Sequence, residues 1–154
     1  MKPAIATLFV SFTLLAGACS ADPESHHDDG ARAGLRGAVS ELRSESERHL
    51  SACVAARSLA GVAEELAVHE QGMGEHLHHL VFDMNPMSAC SGPTLSEAVG
   101  CMTAMRDAMA DHRAVLAAAT DLAAAQRECR AHAAAVEAEL GELTRAVDQL
   151  SCAD

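Results

Sequence analysis

Apolar positions recur at alternating spacings of three and four in four separate stretches of this chain, and that period restricts the fold more than anything else in it. The first stripe runs Leu35, Val39, Leu42, Ser46, His49, Cys53, and the second Val62, Leu66, His69, Met73, His76, Leu80. The third runs Leu95, Ala98, Met102, Met105, Met109, His112, Leu116; the fourth runs Leu122, Ala125, Cys129, His132, Val136, Leu143, Val147, Leu150. A strand repeats every second residue and scatters such positions over both faces, whereas a helix of 3.6 residues per turn gathers them on one. Four stripes predict four helices, each with one buried side.

The connections decide their arrangement. Those near 57–61 and 120–121 are short, and short connections force antiparallel neighbours. Ser58 and Asp121 are N-cap residue types, and Thr94 with Glu97 three residues on reads as a capping box opening the third helix after Asn85, Pro86, Gly92 and Pro93. The prediction is an all-α protein, an antiparallel up-down-up-down four-helix bundle over residues 31–154. With no Trp or Tyr, the core must be Ala, Leu, Val and Met, which suits close-packed helices and not a sheet.

The bundle reads as two copies of one helical hairpin. At an offset of 63 residues His49 falls on His112, Leu59 on Leu122, Glu65 on Glu128 and His69 on His132. Taking Leu59 and Leu122 as hairpin centres, with depth accruing at about 1.5 Å per residue, all four histidines lie ten residues deep. His49 then faces His112 across one diagonal of the bundle, and His69 faces His132 across the other. With helix axes about 8 to 10 Å apart, four imidazoles on inward stripes can nearly reach a common ion.

His49, His69, His112 and His132 are therefore the candidate ligands of a transition metal. Glu65 and Glu128 each precede a histidine by four residues and are candidate further ligands, or acceptors that fix the imidazole tautomer. Thioethers in the next layers, Met73, Met105 and Met109, favour copper, whereas imidazole with carboxylate alone suits zinc. The competing reading is a buried polar network in which His69 and His132 donate to the carboxylates on their own helices and set the register. A second cluster, Glu75, His76, His78, His79 and Asp83, is read as a solvated helix end before it is read as a metal site.

The same measure of depth sorts the cysteines. Cys53 lies six residues from its centre and Cys129 seven, on helices that neighbour each other, so a Cys53–Cys129 disulfide is expected in an oxidising compartment. Cys90 and Cys152 are expected to pair at the far end, leaving Cys101 as the free thiol; Cys90 with Cys101 stays open.

Enzyme motifs are missing. No Gly-rich phosphate loop, Gly-x-Ser-x-Gly elbow or His-Glu-x-x-His occurs, there is no CxxCH for covalent haem, and the spacing Glu-x-x-x-His departs from the Glu-x-x-His of di-metal carboxylate bundles. No catalytic activity is expected.

The N-terminus reads as an export signal over residues 1–18: Lys2 gives the positive n-region, residues 5–15 the apolar h-region, and Ala16, Gly17, Ala18 a small-residue cleavage site. The segment Leu15-Ala16-Gly17-Ala18-Cys19 resembles a bacterial lipoprotein box, which implies lipidation of Cys19 and a membrane anchor. Ala16-Gly17-Ala18 equally satisfies ordinary signal-peptidase cleavage after Ala18. Ser20, where such lipoproteins carry aspartate for inner-membrane retention, points to the outer membrane. Residues 19–30 read as a solvated tether. Without the signal, ten arginines face 22 acids, a net charge near −12 that makes nucleic acid an unsuitable partner. The sequence thus points to an exported, lipid-anchored bundle that stores, buffers or delivers copper or zinc; the alternative is a disulfide-stabilised structural or interaction module of the cell envelope with no ligand.

Overall fold

Each helix starts where the chain supplies a residue suited to the task. In the computed structural model the described residues are 23–84 and 93–150, and they form α1 (Pro23–Ala55), α2 (Leu59–Met84), α3 (Pro93–Ala118) and α4 (Leu122–Gln149). The helices α2 and α4 open on the caps expected of them. Ser58 Oγ accepts from the Gly61 N–H at 3.1 Å, and Asp121, with extended backbone, accepts from the Ala124 N–H at 2.8 Å.

The other two helices open on proline, whose missing N–H would have no helical partner in the first turn anyway. That changes two expectations. The helix α3 begins at Pro93, one residue before the cap expected at Thr94. The helix α1 begins at Pro23, so residues 23–30, read as tether, are helical. Extending a helix already nucleated costs far less than starting one, so a polar stretch can continue a packed helix without an apolar stripe of its own. The signal segment 1–18, Cys19, Cys90 and Cys152 lie outside the described residues.

The four helices make the predicted up-down-up-down bundle. The helix α1 packs along α2 and along α4, and α3 along α4, while α2 and α3 are the least closely packed of the four adjacent pairs. Most of the core is one apolar cluster that includes Leu35, Leu42, Met73, Leu80, Leu140 and Leu143. At about 1.5 to 3 kcal/mol for each large side chain removed from water, this cluster is what closes the bundle. A smaller cluster near the two turns holds Cys53, Val62, Ala125 and Cys129. Between the two clusters lie Ser46, His49, His69, His112 and His132, all buried.

The two long edges differ. On the α1–α4 edge the Gln126 amide donates to Cys53 O, Val54 O and Ala56 O at 3.3, 3.0 and 3.1 Å, satisfying carbonyls left over at the end of α1. On the α2–α3 edge an apolar crevice of about 420 Å³ opens beside Leu59, Ala63, Leu66, Leu116 and Ala119. Further along that edge Arg113 bonds Glu70 across the gap. No described helix is long and apolar enough to cross a membrane.

Candidate metal centre

The depth argument places four imidazoles in one buried layer, and the structure puts them there. His49 and His69, from the first hairpin, stack with ring centroids 3.8 Å apart at 10°; His112 and His132, from the second, stack at 4.1 Å and 10°. The two stacks meet nearly at right angles, His49 against His112 at 88° and His69 against His132 at 81°. Across the diagonals, His49 Nε2 lies 3.2 Å from His112 Nε2, and His69 Nε2 lies 3.3 Å from His132 Nε2. Stacked, nearly parallel rings keep their in-plane lone pairs in separate planes about 4 Å apart, so the layer resolves into two diagonal pairs and not one four-histidine centre.

With each Nε2 aimed across the bundle, Nδ1 faces the other helix of the same hairpin. The carboxylates found there are the ones that bind it, which corrects the expected pairing of Glu65 with His69 and of Glu128 with His132. Glu128 Oε1 lies 3.1 Å from His112 Nδ1, and Glu65 Oε1 lies 3.6 Å from His49 Nδ1. His69 Nδ1 takes Glu45 Oε1 at 3.2 Å. Arg48 holds both carboxylates of the first hairpin, Glu45 at 2.6 Å and Glu65 at 2.7 Å. The fourth member is absent from the repeat: the residue 63 beyond Glu45 is Ala108, so α3 offers no carboxylate at that place to His132.

Sulfur joins one diagonal pair only. Cys53 Sγ lies 3.5 Å from His49 Nε2, and Cys129 hydrogen-bonds Cys53, His112 and His49. The disulfide expected between Cys53 and Cys129 is not formed: the two residues do meet, but as free thiols, with their sulfurs turned to the imidazoles. Cys101 is a buried free thiol as well. Among the described residues, the one group of three or more His, Cys, Asp or Glu side chains that can converge on an ion is His49, His112 and Cys129, whose ligand atoms lie within 4.8 Å of one another. This buried His-His-Cys group could hold a metal ion.

The electrostatics separate the two pairs. Burial, then the neighbouring imidazoles, press His132 down to about 3 and His69 to about 4, with Glu45 opposing the fall only at His69. Burial also presses on His112, yet the Cys129 sulfur and the Glu128 carboxylate outweigh it and leave His112 raised. The Cys129 thiol is held well below its ordinary range, first by the hydrogen bond from Cys53 and then, against burial, by His112 and His49; Cys53 is pushed up in consequence. The arrangement is an acidified thiol beside an imidazole pushed toward its charged form, with a second imidazole and a second sulfur at hand.

The second cluster stays at the surface. His76 Nδ1 lies 3.3 Å from Glu41 Oε2 of α1, while His78 and His79 are exposed and their rings are 6.4 Å apart. Met73, Met105 and Met109 are packed into the main apolar cluster. The sequence reading missed Glu45, Arg48 and the approach of the thiols to the imidazoles. A signal for them existed: Glu45, His49 and Cys53 follow one another at intervals of four, which puts carboxylate, imidazole and sulfur on one helix face.

Comparison with known protein-family models, with curated proteins and with solved structures finds no match.

Proposed function

We propose that this chain is an exported, lipid-anchored metal-binding protein that holds one transition-metal ion through His49, His112 and Cys129 and stores, buffers or delivers it without catalysing a reaction. The observation that carries this reading is the 3.2 Å approach of His49 Nε2 to His112 Nε2 beside a buried sulfur. Glu128 accepts from His112 Nδ1, and a neutral ring with its proton there presents a bare lone pair at Nε2. At 3.2 Å the two Nε2 atoms need a shared partner between them, and the candidates are the N–H proton of one ring in its other tautomer and a metal ion. Thiolate with two imidazoles is a donor set for Zn(II) or Cu(I), and Glu65 and Glu128 orient the imidazoles from behind. His69 and His132 stack on the ligands and hold them in place.

A proton in that position is the second reading, a buried polar network that sets helix register, because 3.2 and 3.3 Å are close to hydrogen-bond lengths as they stand. Metal content separates the two. Protein exported to the periplasm and purified without chelators is expected to carry about one equivalent of zinc or copper by elemental analysis. His49→Ala with His112→Ala is expected to lose it while helix content stays. A wild-type chain that arrives empty and takes up neither ion would leave the polar network as the function of the layer. Mass spectrometry of the mature N-terminus tests the acyl anchor on Cys19.

A further inference from the structure

His49, His112 and Cys129 leave one corner of a tetrahedron open, and the side chain beside that corner is Cys53. An ion bound tetrahedrally at about 2.0–2.1 Å from nitrogen and about 2.3 Å from sulfur sets N···N edges near 3.3–3.4 Å and N···S edges near 3.5–3.6 Å. Two edges of that size are already present: His49 Nε2 to His112 Nε2 is 3.2 Å, and His49 Nε2 to Cys53 Sγ is 3.5 Å. Both edges share the same nitrogen of His49. Cys129 lies within 4.8 Å of both imidazoles and in hydrogen-bonding contact with Cys53, so inward movement of one sulfur completes the figure. Both cysteines are fully buried, so neither sulfur is open to bulk water.

We infer that Cys53 is the fourth ligand, so that the centre is a closed Cys₂His₂ site for a tetrahedral, thiophilic d¹⁰ ion. This rests on the metal-binding reading above and deepens it. A site with three protein ligands keeps a position for water or substrate and can catalyse; a site with four does not, which fits a carrier. The deprotonated sulfurs also neutralise a divalent ion, so burial of the loaded centre carries no net charge into the apolar surroundings. The two sulfurs come from α1 and α4 and the second imidazole from α3, so the ion would join both hairpins.

Cobalt(II) is the probe, since it occupies tetrahedral zinc sites and its thiolate charge-transfer band grows with the number of sulfurs bound. Reduced, metal-free full-length protein titrated anaerobically with cobalt(II) is expected to take up one equivalent. The charge-transfer intensity should fall to about half of the unmutated value in Cys53→Ser and likewise in Cys129→Ser, with affinity down roughly 100-fold or more in each, since loss of even a supporting residue costs about 10- to 100-fold. Full intensity and unchanged affinity in Cys53→Ser would overturn the fourth-ligand assignment and leave the three-ligand centre standing. Failure of the unmutated protein to bind cobalt or zinc would overturn both. Should Cys53→Ser fail to fold, X-ray absorption of the zinc-loaded unmutated protein decides: two sulfurs and two nitrogens support the assignment, and one sulfur sinks it.

Discussion

The two long edges of the bundle are built at equivalent positions and do different work. On the α1–α4 edge stand Cys53, Cys129 and Gln126; their counterparts 63 residues away, on the α2–α3 edge, are Leu116, Leu66 and Ala63. The first set places two sulfurs against the imidazoles and ties off the end of α1 with an amide. The second set lines an apolar crevice. Equivalent positions of the two hairpins thus carry sulfur and amide on the closely packed edge and apolar side chains on the open one.

The difference is tested most severely by exchanging sulfur and leucine positions one at a time. Cys129→Ser is expected to weaken zinc binding roughly 100-fold or more, whereas Leu66→Ser, its counterpart, should leave the stoichiometry of zinc uptake unchanged. Competition titration against a chromophoric chelator reads both. Equal losses in the two variants would mean that the sulfur edge has no special standing.

The copies also differ at Glu45 and Ala108, and pH exposes that. His132 and His69 have folded values near 3 and 4 against 6.5 in the unfolded chain, so below pH 6.5 the unfolded state binds protons that the folded state does not. Stability of the metal-free protein is therefore complete, for these two groups, above pH 6.5 and falls as the solution is acidified, by up to about 1.4 kcal/mol per pH unit for each. His112 is shifted the other way, and its contribution is full below 6.5 and lost as pH rises through its folded value. Urea unfolding between pH 4.5 and 6.5, taken here as roughly the window between folded and unfolded values, should show the acid loss. Ala108→Glu, which gives His132 the carboxylate that Glu45 gives His69, should flatten that slope. An unchanged slope would show that the missing carboxylate does not separate the copies.

The smallest expected effects lie at the fastenings of the two edges. Gln126→Ala leaves carbonyls at the end of α1 without their donor and should cost about 1 kcal/mol. Arg113→Ala removes a bridge whose arginine is largely exposed, 62 % for the side chain, and should cost less than about 1 kcal/mol. Thermal melts of the two variants compare them directly. A larger loss at Arg113 would reverse the ranking of the edges.

Four helices and their antiparallel order were legible because a stripe of Leu, Val and Met at helical spacing depends only on local geometry. The imidazole layer was legible for a related reason: equal depth from two short turns survives folding when the helices stay straight. Which carboxylate serves which ring was not, because His49 and Glu65 meet only after each ring has turned its Nε2 to the diagonal. The contact of Cys53 with Cys129 followed from depth, but their chemical state did not. Depth brings two sulfurs together and says nothing of the imidazoles that compete for them. The start of α1 at Pro23 was hidden because the stripe begins only at Leu35, and a helix can run on past the residues that anchor it.

Gly72 lies in the middle of α2, where a Cβ would stand 2.9 Å from Glu45 Cδ. On helix preference alone, replacing a mid-helix glycine by alanine gains about 1 kcal/mol. Here the added methyl would force the Glu45 carboxylate to shift, straining its hydrogen bond to His69 and the clasp of Arg48. A protein engineer who hardened this helix by consulting a scale of residue preferences would loosen its interior instead. The notch in the backbone is the mould in which the partner of a buried imidazole is cast.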